Sequence, residues 1–197
     1  MTAERASTYL WLVWYVTWIA AVVWSARTKT QMKTDMGGAP RLLAGLGSAL
    51  LFLPSSGRPV FHLAVTGWVT HKLWRGAPAF NWGLFALIVA AFGFCWWARI
   101  HLGRLWSGFV TLKDGHCVVD TGPYRLVRHP IYSGVMLGVL LTALIRATPA
   151  GLAGFVCMAA GFSMIAKIEE RFLRDQLGAE AYDDYSRKTP MMIPRLG

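Results

Sequence analysis

Four stretches of the chain are apolar and uncharged: Tyr9–Ala26, Phe80–Trp97, Ser133–Ile145 and Ala150–Ile165. The first is 18 residues long, just enough to cross a bilayer as a helix, and the second matches it. A cleaved leader fits Tyr9–Ala26 less well. The run is long for such a segment, Glu4 and Arg5 before it cancel, and no clear A-x-A site follows. The last two runs are separated only by Arg146-Ala147-Thr148-Pro149, which predicts an antiparallel helical hairpin. Between the first two, Leu42–Pro54 is apolar but short. Val60–Trp74 is broken by His62, His71 and Lys72, so Leu42–Trp74 holds one passage whose path stays open.

Composition turns these helices into a class. Hydrophobic residues make up 55% and charged residues only 15%, where a soluble domain carries about 25%. The expectation is an all-α polytopic membrane protein of about five transmembrane helices, ending in the helical hairpin. Residues 1–100 form the N-terminal transmembrane helices and 101–197 the catalytic half. The net charge of +10 bears on topology. With five spans and the N-terminus outside, 15 of the 20 Lys and Arg fall on the cytoplasmic side; six spans give 13. No zinc-finger or RNP pattern accompanies the basic residues, which argues against nucleic acid. Cys95, Cys117 and Cys157 form no C-x-x-C and no even framework, which argues against a disulfide scaffold.

The polar segments 99–132 and 169–197 hold most of the residues able to do chemistry, and both fall on the cytoplasmic side of the five-span arrangement. In the first, Asp114-Gly115 predicts a tight turn and, with its apolar flanks Val110–Val119, a short hairpin on the membrane surface. Gly122-Pro123 marks another turn. Pro130 suits the first turn of a helix whose N-terminus can bind a carboxylate, helped by Arg125 and Arg128. In the second, Glu169-Glu170 end a spanning helix. Alone they read as a solvated face with Glu170–Arg174 and Arg171–Asp175 pairs. The hairpin changes that reading. His129 and Lys167 each lie 19 residues from Thr148, so His129 and the two glutamates fall at one depth on neighbouring helices. Such polar clusters at a bilayer surface are candidate sites. His101, His116 and His129 lack metal-ligand spacing, no G-x-S-x-G elbow occurs, and Gly45-Leu46-Gly47 reads as a helix-packing feature.

The run Gly122-Pro123-Tyr124-Arg125…Arg128-His129-Pro130-x-Tyr132-x-Gly134, then Glu169-Glu170-x-x-Leu173 and Gly178…Tyr182…Tyr185…Pro190, resembles the isoprenylcysteine carboxyl methyltransferase family over about residues 103–194. That family belongs to a wider group with phospholipid N-methyltransferases. The resemblance implies an integral membrane enzyme using S-adenosylmethionine, with cytosolic cofactor-binding segments and a lipophilic or prenylated substrate entering from membrane lipid. It implies that His116, Val118, Val119, Gly122, Tyr124, His129 and Tyr132, with Pro130 among them, line the cofactor. Glu169, Glu170 and Arg128 would stand nearest the reacting centre, and Trp106 would flank substrate entry. Lys188 stands on the substrate side, in the Tyr185…Pro190 stretch where family members often place Arg. Phospholipid N-methylation, NADPH-dependent lipid reduction and a non-enzymatic transporter or accessory role are the alternatives.

Overall fold

The computed structural model describes residues 1–24, 27–31, 38–54, 64–115 and 117–195. It is mostly helical: α1 (Ala3–Ala20), α2 (Gly38–Leu51), α3 (Ala64–Thr70), α4 (Pro78–Leu102), α5 (Pro123–Leu126), α6 (Pro130–Arg146), α7 (Pro149–Leu177) and α8 (Ala179–Lys188). Two short strands, β1 (Thr28–Gln31) and β2 (Thr111–Lys113), accompany them. Three of the helical stretches, Ala3–Val23, Pro78–Leu105 and Pro149–Leu177, are long and apolar enough to cross a membrane. The chain is therefore a multi-pass membrane protein.

Five helices run alternately between two ends of the molecule. At one end Glu4 of α1 pairs with Lys72 (2.7 Å) and faces Arg146 at the end of α6 (3.9 Å). Arg146 also donates to the carbonyl of Leu53 just past α2, and the Leu73 amide donates to Ala147 (2.7 Å). At the other end Arg99 of α4 reaches the last turn of α1. Thus α1, α4 and α7 run one way, and α2 and α6 the other.

Arg99 is fully buried, and no carboxylate among the described residues pairs with it. Its charge is met by carbonyls at two helix C-termini: Ala21 (2.9 Å) and Trp24 (2.8 Å) after α1, and Gly103 (2.7 Å) after α4. Helix C-termini carry partial negative charge, so a guanidinium is a suitable cap. The Trp106 and Trp24 rings cover it at 4.4 and 5.1 Å. The contact ties α1 to α4 where both open onto the site.

Inside the bundle, small residues let backbones touch. A Cβ on Gly154 of α7 would lie 2.6 Å from the Gly47 carbonyl of α2, and one on Gly161 would lie 2.7 Å from the Pro40 carbonyl. Gly134 of α6 meets Cys95 and Ala91 of α4 in the same way. This is small-residue packing suited to an apolar solvent. Gly47 fulfils the packing reading of Gly45-Leu46-Gly47; Gly45 faces open space. Trp11 Nε1 donates to Thr142 Oγ1 (2.9 Å), joining α1 to α6 through a buried hydrogen bond.

The hairpin forms where the sequence places it. Ala147 takes a left-handed conformation (φ 54°), and Thr148 caps α7 by accepting from Gly151 N (3.0 Å). Three expectations shift. First, α1 begins at Ala3, six residues early, because Thr2 caps it and Glu4 finds partners on other elements. Second, Asp114-Gly115 does turn, with Gly115 at φ 73°, but β2 is not one arm of a local hairpin. It pairs antiparallel with β1, Thr28 opposite Lys113 and Gln31 opposite Thr111. The Asp114 amide extends the ladder to the Arg27 carbonyl (3.2 Å), and Lys113 Nζ donates to Thr28 Oγ1 (2.9 Å). Third, this two-stranded sheet departs from an all-α chain. The Leu42–Trp74 path resolves into α2 and α3, with 55–63 outside the described residues.

The packing makes a paired prediction. Gly154→Val pushes α2 from α7 and costs at least the ~1–3 kcal/mol of overpacking. Gly45→Ala stabilises by up to ~0.5–1 kcal/mol through helix propensity. Thermal midpoints in detergent should fall for the first and hold or rise for the second. A Gly154→Val protein as stable as the parent would contradict the close approach.

Candidate active site

Glu170 of α7 is gripped from across the hairpin. Arg128 Nε donates to its Oε1 (2.7 Å) and Nη2 to its Oε2 (2.9 Å), a bidentate pair with both side chains mostly buried. His129 Nε2 donates to the same Oε1 (3.0 Å). The third Arg128 nitrogen, Nη1, donates to the Ser186 carbonyl (3.0 Å) and to that of Thr189. The Arg128 and His129 amides donate to Pro190 and Met191 (both 2.9 Å), and Ser133 Oγ to Met192 (2.6 Å). The start of α6 is thus closed by the segment after α8. Glu170 pairs here and Arg174 pairs with Asp183 (2.7 Å), so the Glu170–Arg174 pairing of a solvated helix face does not form.

Glu169 stands apart from that grip. Its Oε2 accepts from the Tyr132 hydroxyl (3.0 Å) and lies 3.9 Å from His129 Nδ1. The His129 and Tyr132 rings stack, 5.4 Å apart and nearly parallel. The depth argument from the hairpin therefore holds in space.

These groups border a cavity of about 440 Å³, within the ~300–1,000 Å³ usual for small-molecule sites. One stripe of α7 forms a wall: Met158, Phe162, Ile165, Glu169 and Leu173, at three- and four-residue spacing. From Glu169 to Met158 the stripe drops roughly 16 Å at ~1.5 Å per residue. The upper part is polar and aromatic, with Glu169, Arg128, His129, Tyr124, Tyr182 and Tyr185. The lower part is apolar apart from Arg41, with Trp14, Trp18, Val135, Met158 and Phe162.

A glycine supports the upper wall. Gly122 has φ 55°, and a Cβ there would sit 2.7 Å from the His101 ring. His101 in turn bonds Thr121 Oγ1 (2.9 Å) and stacks on Tyr124. Tyr185 donates to the Tyr124 carbonyl (2.7 Å). Burial, and then the Glu169 carboxylate, push the Tyr124 phenol up; burial does the same for Tyr185. Both stay protonated donors at neutral pH.

Of the residues singled out from sequence, Val118, Val119, Tyr124, Arg128, His129, Pro130, Tyr132, Glu169 and Trp106 line this cavity. Gly122 and Glu170 stand behind its wall as supports. His116 lies outside the described residues. Lys188 does not line it: its ammonium pairs with Asp184 (2.5 Å) one turn earlier, on the exposed face of α8. Sequence reasoning missed Trp14, Tyr15, Trp18, Arg41 and Phe109 on the wall. The Trp11, Trp14, Trp18 spacing marks one face of α1 and could have flagged two of them. Arg41 had no local signal. Among the described residues no group of three or more His, Cys, Asp or Glu could hold a metal.

Comparison with known proteins gives the site a lineage. The chain is 28% identical over 169 residues to the cobalt-zinc-cadmium resistance protein CzcN of Cupriavidus metallidurans, covering 83% of this chain and 76% of that one. It is 31% identical over 100 residues to a probable protein-S-isoprenylcysteine O-methyltransferase of Oryza sativa subsp. indica, covering 49% of this chain and 52% of the relative. It is 43% identical over 77 residues to methanethiol S-methyltransferase 2 of Bradyrhizobium diazoefficiens, covering 37% and 27%. The model of the isoprenylcysteine carboxyl methyltransferase family matches residues 84–174, from within α4 through the Arg128-His129-Pro130 turn and the hairpin to just past the two glutamates. That segment, a little under half of the chain, is similar to the isoprenylcysteine carboxyl methyltransferase family.

Proposed function

We propose that the chain is an integral membrane methyltransferase that moves a methyl group from S-adenosylmethionine to a lipophilic acceptor. The observation that carries this reading is the lining of one cavity: Glu169, His129, Tyr124, Tyr132 and Tyr182 together with Trp14, Trp18, Val135, Met158 and Phe162. The bound donor supplies an electrophilic methyl on a sulfonium cation. The residues present fit it. Glu169 and the faces of Tyr124, Tyr132 and Tyr182 suit positive charge. The apolar part of the lining suits the body of the acceptor and keeps water from the reacting atoms.

The two glutamates divide the work. Glu169 faces the cavity and can take a proton from the acceptor's nucleophile or hold positive charge. Glu170 is committed to Arg128 and His129 and positions them. The relatives named for isoprenylcysteine O-methylation and methanethiol S-methylation favour an oxygen or sulfur nucleophile over a phospholipid amine.

In this reading α1, α2, α4, α6 and α7 each cross the bilayer, and the cavity opens to the cytoplasm. The alternating helix directions and the excess of Lys and Arg at the cavity end support that orientation.

Calorimetry on the detergent-purified protein should show binding of S-adenosylmethionine and of its demethylated product, S-adenosylhomocysteine. NADPH should give no heat. A folded sample that binds neither donor nor product, or that binds NADPH in their place, contradicts the proposal. With methyl-labelled donor and a panel of lipophilic thiols and carboxylic acids, Glu169→Gln should lower transfer by ~10²-fold or more and leave the thermal midpoint unchanged. Glu170→Ala should lower both, because it strands the buried Arg128 charge at up to about 3–5 kcal/mol. Full transfer by Glu169→Gln would move the reacting centre elsewhere.

A further inference from the structure

Most charge on the cavity wall is answered within the protein. Glu170 holds Arg128, and Tyr132 donates to Glu169. Arg41 is different. It stands in the first turn of α2, half-buried, with its guanidinium carbon 4.9 Å from the centre of the Phe109 ring, and both residues line the cavity. No carboxylate among the described residues pairs with it.

Position and chemistry point the same way. The first turn of α2 is fixed against α7, where Gly161 meets Pro40 and Ala44 about two turns from Glu169. An aromatic face offsets only part of the cost of holding a guanidinium away from water. The first turn of a helix adds partial positive charge beside it. A planar fork of donors, matched by no acid among the described residues, suits a carboxylate.

We propose that Arg41 is the cavity's receptor for a ligand carboxylate, in the same cavity as the Tyr132–Glu169 pair. The inference rests on the methyl-donor reading. The carboxylate has two sources: the amino-acid end of the donor, whose ammonium Glu169 would answer, or an acid on the lipophilic acceptor.

Titration calorimetry separates them, using wild-type protein, Arg41→Met and Arg41→Lys. The probes are S-adenosylhomocysteine, 5′-methylthioadenosine (the same nucleoside without the amino-acid end), dodecanoate and dodecanol. If Arg41 holds the donor, Arg41→Met weakens S-adenosylhomocysteine tenfold or more and leaves methylthioadenosine unchanged, and Arg41→Lys recovers part of the loss. If it holds the acceptor, Arg41→Met leaves S-adenosylhomocysteine unchanged and weakens dodecanoate tenfold or more, with dodecanol unaffected. Wild-type affinity of Arg41→Met for both carboxylates overturns the proposal. Wild-type protein that binds neither nucleoside instead defeats the methyl-donor reading, and the dodecanoate arm then decides Arg41 alone. Should Arg41→Met fail to fold by its thermal midpoint, Arg41→Gln takes its place with the same outcomes.

Discussion

The bidentate contact between Arg128 and Glu170 joins three separate parts of the chain. It links the turn before α6 to the end of α7, and the third Arg128 nitrogen reaches carbonyls of the segment after α8. A buried ion pair of this kind adds little net stability but is costly to break, because either partner left alone is an uncompensated charge. Its effect is therefore positional. It fixes the N-terminus of α6, the His129–Tyr132 stack and, one residue away, the carboxylate of Glu169. The upper part of the cavity exists because those groups are held in one place.

A second constraint acts from the other half of the molecule. Arg99 gathers the C-terminal carbonyls of α1 and α4 and stacks on Trp106, itself on the cavity wall. Trp106 meets Trp18 edge to face at 5.6 Å. The aromatic side of the cavity is thus held by one guanidinium and the acidic side by another. This is why residues 1–100 contribute to the site as well as to the membrane bundle: Trp14, Trp18 and Arg41 share a cavity with Glu169.

What the sequence made legible follows from the range of each interaction. The hairpin could be read because Pro149, the short connection and the flanking apolar runs are local signals. Equal depth of His129 and Glu169–Glu170 then followed from helix rise alone. The different roles of the two glutamates were not readable. They depend on which face of α7 meets Arg128, a matter of about 100° of helix rotation. The surface position of Lys188 is unreadable for a related reason: Asp184 sits one turn before it and pairs with it there. The β1–β2 pairing joins residues eighty or more positions apart, so Asp114-Gly115 could announce a turn but not its partner strand. Arg41 lies at the start of a short apolar run and gains meaning only once α2 is laid against α7.

The central claim is that the groups gathered by Arg128 and Glu170 enclose the methyl donor. Ultraviolet cross-linking of radiolabelled S-adenosylmethionine to the detergent-purified protein, followed by peptide mapping, tests it most directly. The account predicts label in peptides carrying Tyr124–Tyr132 or Tyr182–Tyr185, displaced by excess S-adenosylhomocysteine. Displaceable label confined to peptides at the opposite end of the bundle, around Lys72 and Arg146, would contradict it.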